Sequence, residues 1–207
     1  MVALTSWQAL KERANIQPGQ NVFIPAGAGG IGMFAIQLAK HLGARVATTT
    51  STSNLGLVRS LGADEVVDYK KQEFENVLRD FDAVLGTVRG DAIEKSLQIL
   101  KPKSKVVSLV GPPDAAFGRA RGMNFFMVAV FAFLSRKIIR HARSRGVEYA
   151  FLFVHPDGRQ LAEIAKLLEA GTVRPVIDKV FPFAQAKEAL AYLETGRAKG
   201  KVVVQMK

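Results

Sequence analysis

Glycines 27, 29 and 32 stand in G-x-G-x-x-G spacing within the run Gly27-Ala28-Gly29-Gly30-Ile31-Gly32. Those types at that spacing suit one task, cradling the pyrophosphate of a dinucleotide. Gly27 permits a tight turn out of a strand. Gly29 lets the backbone approach a phosphate with no Cβ in the way, and Gly32 lets the next helix lie close to the strand. The N–H groups at the helix start, near Gly29 to Ile31, then face an anion, and the helix dipole adds to the attraction. The plainer alternative is a glycine-rich turn that binds nothing, so the flanking elements decide.

Those elements are of the required kind. Residues 21–25 (NVFIP) read as a short apolar strand directly before the glycines. Residues 33–42 carry Phe34, Ile36, Leu38 and Leu42, and Gly43 is a helix stop. Further strands are expected at 45–50, 65–68, 81–86 and 105–111, with helices at 55–61, 74–79 and 92–100 between them, and a helix at 4–14 precedes the series. Short connections between alternating strands and helices predict an α/β fold, a doubly wound parallel sheet of the Rossmann type with six strands. After Pro112-Pro113, residues 114–122 read as loop, 122–145 as one long helix, 147–154 (VEYAFLFV) as the sixth strand and 160–170 as a helix. A strand, helix and strand at 175–180, 184–194 and 201–204 close the chain. The expected organisation is a dinucleotide-binding domain over 1–175 and a C-terminal segment over 176–207.

The end of the second strand bears on the choice of nucleotide. An NAD(H) site usually places an acid there to hold the ribose hydroxyls. Here the run is Thr48-Thr49-Thr50-Ser51-Thr52-Ser53-Asn54, with no acid before Asp64. Hydroxyls without a like charge favour NADP(H) over NAD(H). Arg45, Arg59, Lys70 and Lys71 are the cations nearest in sequence to a 2′-phosphate. The same loop would also serve as a cap for the next helix.

Composition narrows the classes. The chain has 207 residues, 48% hydrophobic and 23% charged, which is globular rather than disordered. Without cysteine it has no disulfide framework, no thiolate nucleophile and no thiolate zinc site. His41, His141 and His155 show no ligand spacing, so no metal is expected. The net charge of +11 is concentrated, because residues 119–146 hold Arg119, Arg121, Arg136, Lys137, Arg140, Arg143 and Arg145 and no acid. That stretch lacks the interleaved aromatics of a single-strand nucleic-acid groove, and no nucleic-acid partner is expected. The longest apolar run, 125–134, has ten residues, about half of the ~20 needed for a transmembrane segment. A soluble, cytoplasmic protein is the expectation.

Several blocks together resemble the medium-chain dehydrogenase/reductase superfamily, nearest its zinc-independent, quinone oxidoreductase-like branch. They are LTSWQAL (4–10), PAGAGGIGMFAIQLAKHLGA (25–44), LGADEVVDYK (61–70), LKPKSKVVSLVGPPD (100–114) and GRAKGKVVV (196–204). The resemblance implies roles. Thr5 would lie near the nicotinamide carboxamide and Gly27 to Ile31 along the pyrophosphate. Ser51 and Asn54 would border the adenosine phosphate, with Asn54 standing where relatives often carry lysine. Tyr69 would flank the adenosine, and Thr87, Val88, Gly111 and Pro112 would face the nicotinamide half. Phe151 and Phe153 fall near that end, and Lys199 and Lys201 fall in a loop that often contacts the cofactor. Gly86 departs from an aspartate that relatives often carry.

The resemblance also implies a GroES-like catalytic domain ahead of this portion. The chain is therefore expected to be a cofactor-binding part, from a truncated chain or a shortened gene, that binds NADPH and turns over little unaided. In that family, hydride passes from the nicotinamide to an enone or quinone carbon. No catalytic acid or base is assigned, and a small-molecule substrate is expected only once the missing domain is supplied. Superfamily members often pair edge strands across a two-fold axis, which predicts a homodimer through 147–154. Two other readings are a non-catalytic nucleotide-binding or interaction module and an anionic-membrane-surface binder through 119–146.

Overall fold

The computed structural model describes residues 1–196 and 198–206. Arg197, in the GRAKGKVVV block, and Lys207, at the end of the C-terminal segment, lie outside the described residues. Six strands form one parallel sheet: β1 (Asn21–Ile24), β2 (Arg45–Thr50), β3 (Glu65–Asp68), β4 (Phe81–Gly86), β5 (Leu100–Ser108) and β6 (Glu148–Phe151). Their order is β3-β2-β1-β4-β5-β6, so the strand order reverses beside β1, where such sheets open a crevice at their carboxyl edge.

Alternation along the strands builds two cores. Val22, Ile24, Val46, Leu85 and Val107 point to one face, and Phe23, Ala47, Val84 and Val106 to the other. The first face is covered by α1 (Val2–Trp7), which runs on through a wide turn at Gln8–Arg13, by α2 (Gly30–His41), α3 (Leu55–Ser60) and α8 (Gly158–Glu169). The second is covered by α4 (Phe74–Val77), α5 (Ala92–Ser96) and α7 (Phe125–Ser144). A separate pair of parallel strands, β7 (Ile177–Pro182) and β8 (Lys201–Gln205), is joined through α9 (Ala186–Glu194). The α/β fold with its six-stranded parallel sheet and C-terminal strand–helix–strand agrees with the sequence expectation.

Helix α5 stops at Ser96 and β5 spans 100–108 rather than the expected 105–111, and three further local expectations are corrected. Residues 114–122 contain a helix, α6 (Ala115–Ala120), because the Asp114 carboxylate accepts from the Phe117 N–H at 2.7 Å and caps it. The sixth strand ends at Phe151, so Phe153 lies beyond it. Helix α2 starts at Gly30, three residues earlier than expected, because the second half of the glycine run forms its first turn.

Candidate nucleotide site

In the turn between β1 and α2, two positions, Gly27 and Gly32, have no room for a side chain. Ala26 has φ 55°, a conformation that costs an L-residue energy, and its N–H donates to Thr49 Oγ1 at 3.0 Å. The Gly27 N–H donates to the Thr49 carbonyl at 2.9 Å, and a Cβ on Gly27 would stand 2.2 Å from Thr48 Oγ1. That hydroxyl is fixed, donating to the Ile24 carbonyl at 2.5 Å. A Cβ on Gly32 would stand 2.4 Å from the Ala26 carbonyl oxygen and 2.8 Å from Gly27 Cα. Gly32 thus lets helix and strand end approach each other, as its position in the motif suggested. Gly29 is the N-cap of α2 with no side-chain cap, so the helix start presents N–H groups and the positive end of the dipole.

Gly30 serves another purpose. A Cβ there would stand 2.5 Å from Lys201 Nζ and 3.9 Å from Val2 Cγ1. The ammonium of a residue 171 positions later therefore rests on the helix start, and no carboxylate pairs with it among the described residues. Lys201 is held there because β8 pairs with β7, and its N–H donates to the Val176 carbonyl at 2.8 Å. Thr5 is buried in α1, one turn past Val2, and its hydroxyl donates to the Met1 carbonyl at 3.2 Å. Lys199 is exposed in the turn before β8.

Beyond β2, Ser51 and Asn54 meet. Asn54 Nδ2 donates to Ser51 Oγ at 3.3 Å, and Ser51 Oγ lies 3.2 Å from Ser53 Oγ. Asn54 Oδ1 is buried with no partner, an acceptor that a ribose hydroxyl would satisfy. An acid does border this loop, and sequence spacing missed it. Asp68 is buried at the end of β3, opposite Thr50 in register, and accepts from Thr52 Oγ1 at 2.6 Å and the Lys70 N–H at 3.0 Å. The Thr52 hydroxyl, with Lys70 and Lys71 beside it, holds its carboxyl below the usual aspartate range.

Tyr69 and Val88 wall one groove of about 370 Å³ with Pro25, Thr49, Phe74 and Lys95. The rim of that groove is charged. Lys95 Nζ bridges Glu73 and Glu75, each at 2.8 Å, which raises its pKa. Thr87 ties β4 to the glycine turn, donating to the Pro25 carbonyl at 2.9 Å.

At the other end of the edge, the Gly111 N–H donates to Ser108 Oγ at 2.8 Å, and Tyr149 Oη donates to the Pro112 carbonyl at 2.9 Å. A Cβ on Gly111 would stand 2.5 Å from Tyr149 Oη. Burial first, with the Asp114 charge adding and a bond to Ser108 opposing, pushes the Tyr149 pKa up to about 12. Phe151 and Phe153 gather around Phe117 of α6, with centroids 5.1 and 6.4 Å away, and Arg121 lies over Phe117 and Phe153. These two aromatics join the α6 side of the sheet edge, away from the glycine turn. Among the described residues no three His, Asp or Glu side chains come close enough to hold a metal ion.

A doubly wound sheet with a glycine turn, a free helix start and a lysine at its switch point defines a dinucleotide-binding α/β protein. Residues 61–204 match the model of the zinc-binding dehydrogenase family. The chain belongs to that family, within the medium-chain dehydrogenase/reductase superfamily. It is 38% identical to the mitochondrial NAD(P)H oxidoreductase RTN4IP1 of Danio rerio, over 99% of this chain and 55% of that protein. It is 36% identical to 2-methylene-furan-3-one reductase of Solanum lycopersicum, over 97% of this chain and 44% of that protein. The quinone oxidoreductase structure from Coxiella burnetii superposes with a TM-score of 0.81 at 29% identity, over all of this chain and 59% of that one. The chain therefore spans about half the length of the curated relatives it matches. The sequence contains no cysteine, so a thiolate zinc site of the kind the family's description suggests finds no ligand within these 207 residues.

Proposed function

We propose that this chain is the NADP(H)-binding part of an oxidoreductase that reduces quinones, enones or related carbonyl compounds. The observation that carries the reading is the turn from Ala26 to Gly32, with Lys201 placed on its helix start. Bound there, the nicotinamide supplies hydride. The N–H groups of Gly30 and Ile31 with Lys201 hold the pyrophosphate, and Gly27, Ala28, Gly29 and Gly32 shape the cradle. Ser51 and Asn54 receive the adenosine ribose and its 2′-phosphate, with Lys70 and Lys71 as nearby cations. Tyr69 and Val88 border the adenine. Thr5, Thr87, Gly111 and Pro112 define the nicotinamide end, with Phe151, Phe153 and Lys199 further from the turn.

Residues 1–175 act as the nucleotide domain, and 176–207 as a segment that returns Lys201 to it. The substrate pocket comes mainly from a further domain, so the 207-residue chain alone turns over little. A homodimer through 147–154 completes the reading. Asp114 Oδ2 already accepts the outward N–H of Phe151 at 3.2 Å, so the pairing is confined to the start of the strand. A cytoplasmic protein fits the cysteine-free composition, and fractionation decides between that and the mitochondrial location named for the relatives.

Parallel titrations with NADPH and NADH test the core of this. We expect NADPH to bind about tenfold more tightly, the usual worth of one charge-assisted phosphate contact. Equal affinities would remove the NADP(H) preference, and no binding of either would remove the nucleotide reading. A monomer by light scattering would remove the dimer.

A further inference from the structure

We propose that α6 and α7 dock this protein on anionic phospholipid bilayers, with the start of α7 entering the headgroup boundary and its basic end resting on the headgroups. The inner side of α7 is already engaged. Phe131 lies against Phe117 of α6, and Ser135, Ile138 and Ala142 are buried against the sheet. The outer side of its first three turns is apolar and bare: Phe125 is 87% exposed, Phe126 71%, Phe133 74% and Leu134 54%. Three phenylalanines this exposed within nine residues are not needed for the fold, and such a patch marks an interaction surface.

The chemistry changes along the axis. After Leu134 the outer side carries Arg136, Arg140 and Arg143, which are exposed and have no carboxylate partner among the described residues. At the helical rise the apolar stretch runs about 14 Å and the basic one about 11 Å. No acid occurs anywhere in 119–146. An apolar tip followed by an arginine collar is the order a bilayer surface presents, apolar interior and then anionic headgroups. A second copy of the chain is a poor occupant, because two faces carrying Arg136, Arg140 and Arg143 with no acid among them would meet. No helix among the described residues is long and apolar enough to cross a membrane, so the contact is superficial. The docking does not depend on which nucleotide binds.

Vesicle flotation tests it, using phosphatidylcholine alone and phosphatidylcholine with about 30 mol% phosphatidylglycerol, the composition chosen to give an anionic surface. The full chain should float with the anionic vesicles and stay behind with the neutral ones. R136Q/R140Q/R143Q should lower partitioning by roughly a hundredfold, at about fivefold per basic residue. F126S/F133S should lower it at least ~tenfold through lost apolar burial. K166Q/K187Q, on the exposed sides of α8 and α9 and outside the nucleotide site, should keep most of the binding. NADPH binding and the circular dichroism spectrum confirm folding of each variant. Equal partitioning to both vesicle types overturns the proposal. So does an unchanged F126S/F133S variant, or a K166Q/K187Q loss as large as that of the arginine variant.

Discussion

Replacing Gly30 and Gly32 by alanine, one at a time, should separate ligand binding from folding within a single helical turn. At Gly32 the new methyl meets backbone, 2.4 Å from the Ala26 carbonyl oxygen and 2.8 Å from Gly27 Cα. Those atoms can move only if the strand end and the helix part, at a cost of about 2–3 kcal/mol. For a chain of this size that lowers Tm by roughly 4–12 °C. At Gly30 the methyl meets only the tip of Lys201, at 2.5 Å, which can swing away, and Val2 at 3.9 Å. The helix gains up to ~1 kcal/mol from the better helix former, so Tm holds or rises by a few degrees. The loss falls on the ligand instead. Displacing a lysine–phosphate contact of about 1.5–3 kcal/mol weakens NADPH binding by roughly ten- to a hundredfold. Differential scanning fluorimetry without ligand and calorimetric titration with NADPH read the two effects separately. If G30A unfolds as easily as G32A, or binds NADPH like the parent chain, the role given to Lys201 is wrong.

Further outcomes follow from neighbouring contacts. G27A should be strongly destabilised by the clash with the Thr48 side chain, and adding T48A should recover part of the loss in a double-mutant cycle by chemical denaturation. The Tyr149 phenolate should form only near pH 12, seen in ultraviolet difference spectra, and Y149F should cost about 1 kcal/mol while loosening Gly111 and Pro112. Asp64 accepts from the Val46 N–H at 2.7 Å and from Lys40 at 2.9 Å, and although burial opposes them, these partners hold its pKa below 3.8. A lowered folded pKa makes its contribution complete above about pH 4 and lost as the pH falls through the folded value. Urea denaturation should therefore show D64N about 1 kcal/mol less stable at pH 7, with the gap closing as the pH falls below the ordinary aspartate value.

Much of this was legible because it is periodic or local. The strands at 45–50, 65–68 and 81–86 have the expected bounds, since Gly and charged residues punctuate apolar runs there. The glycine turn was legible as a motif, and the close packing expected of Gly27 and Gly32 is present. Helix α6 escaped because Gly118 and scattered arginines mask its periodicity, although Asp114, three residues ahead of Phe117, is a capping signal that was there to be read. Asp68 beside the Thr52 loop follows only once β2 and β3 are paired in register, which places Thr50 opposite it. The approach of Lys201 to Gly30 depends on a separate strand pair folding back across the chain, and no local pattern encodes it.

That fold-back couples the tail to the turn. β8 brings to the helix start a cation that repels its positive dipole until an anion lies between them. An anion held there would act as a latch, ordering the last thirty or so residues against the sheet by mass action. At a hundredfold excess over Kd this amounts to about 2.7 kcal/mol. The accessibility of the β7–β8 unit to protease should then report nucleotide occupancy, so the tail of the molecule would be its cofactor gauge.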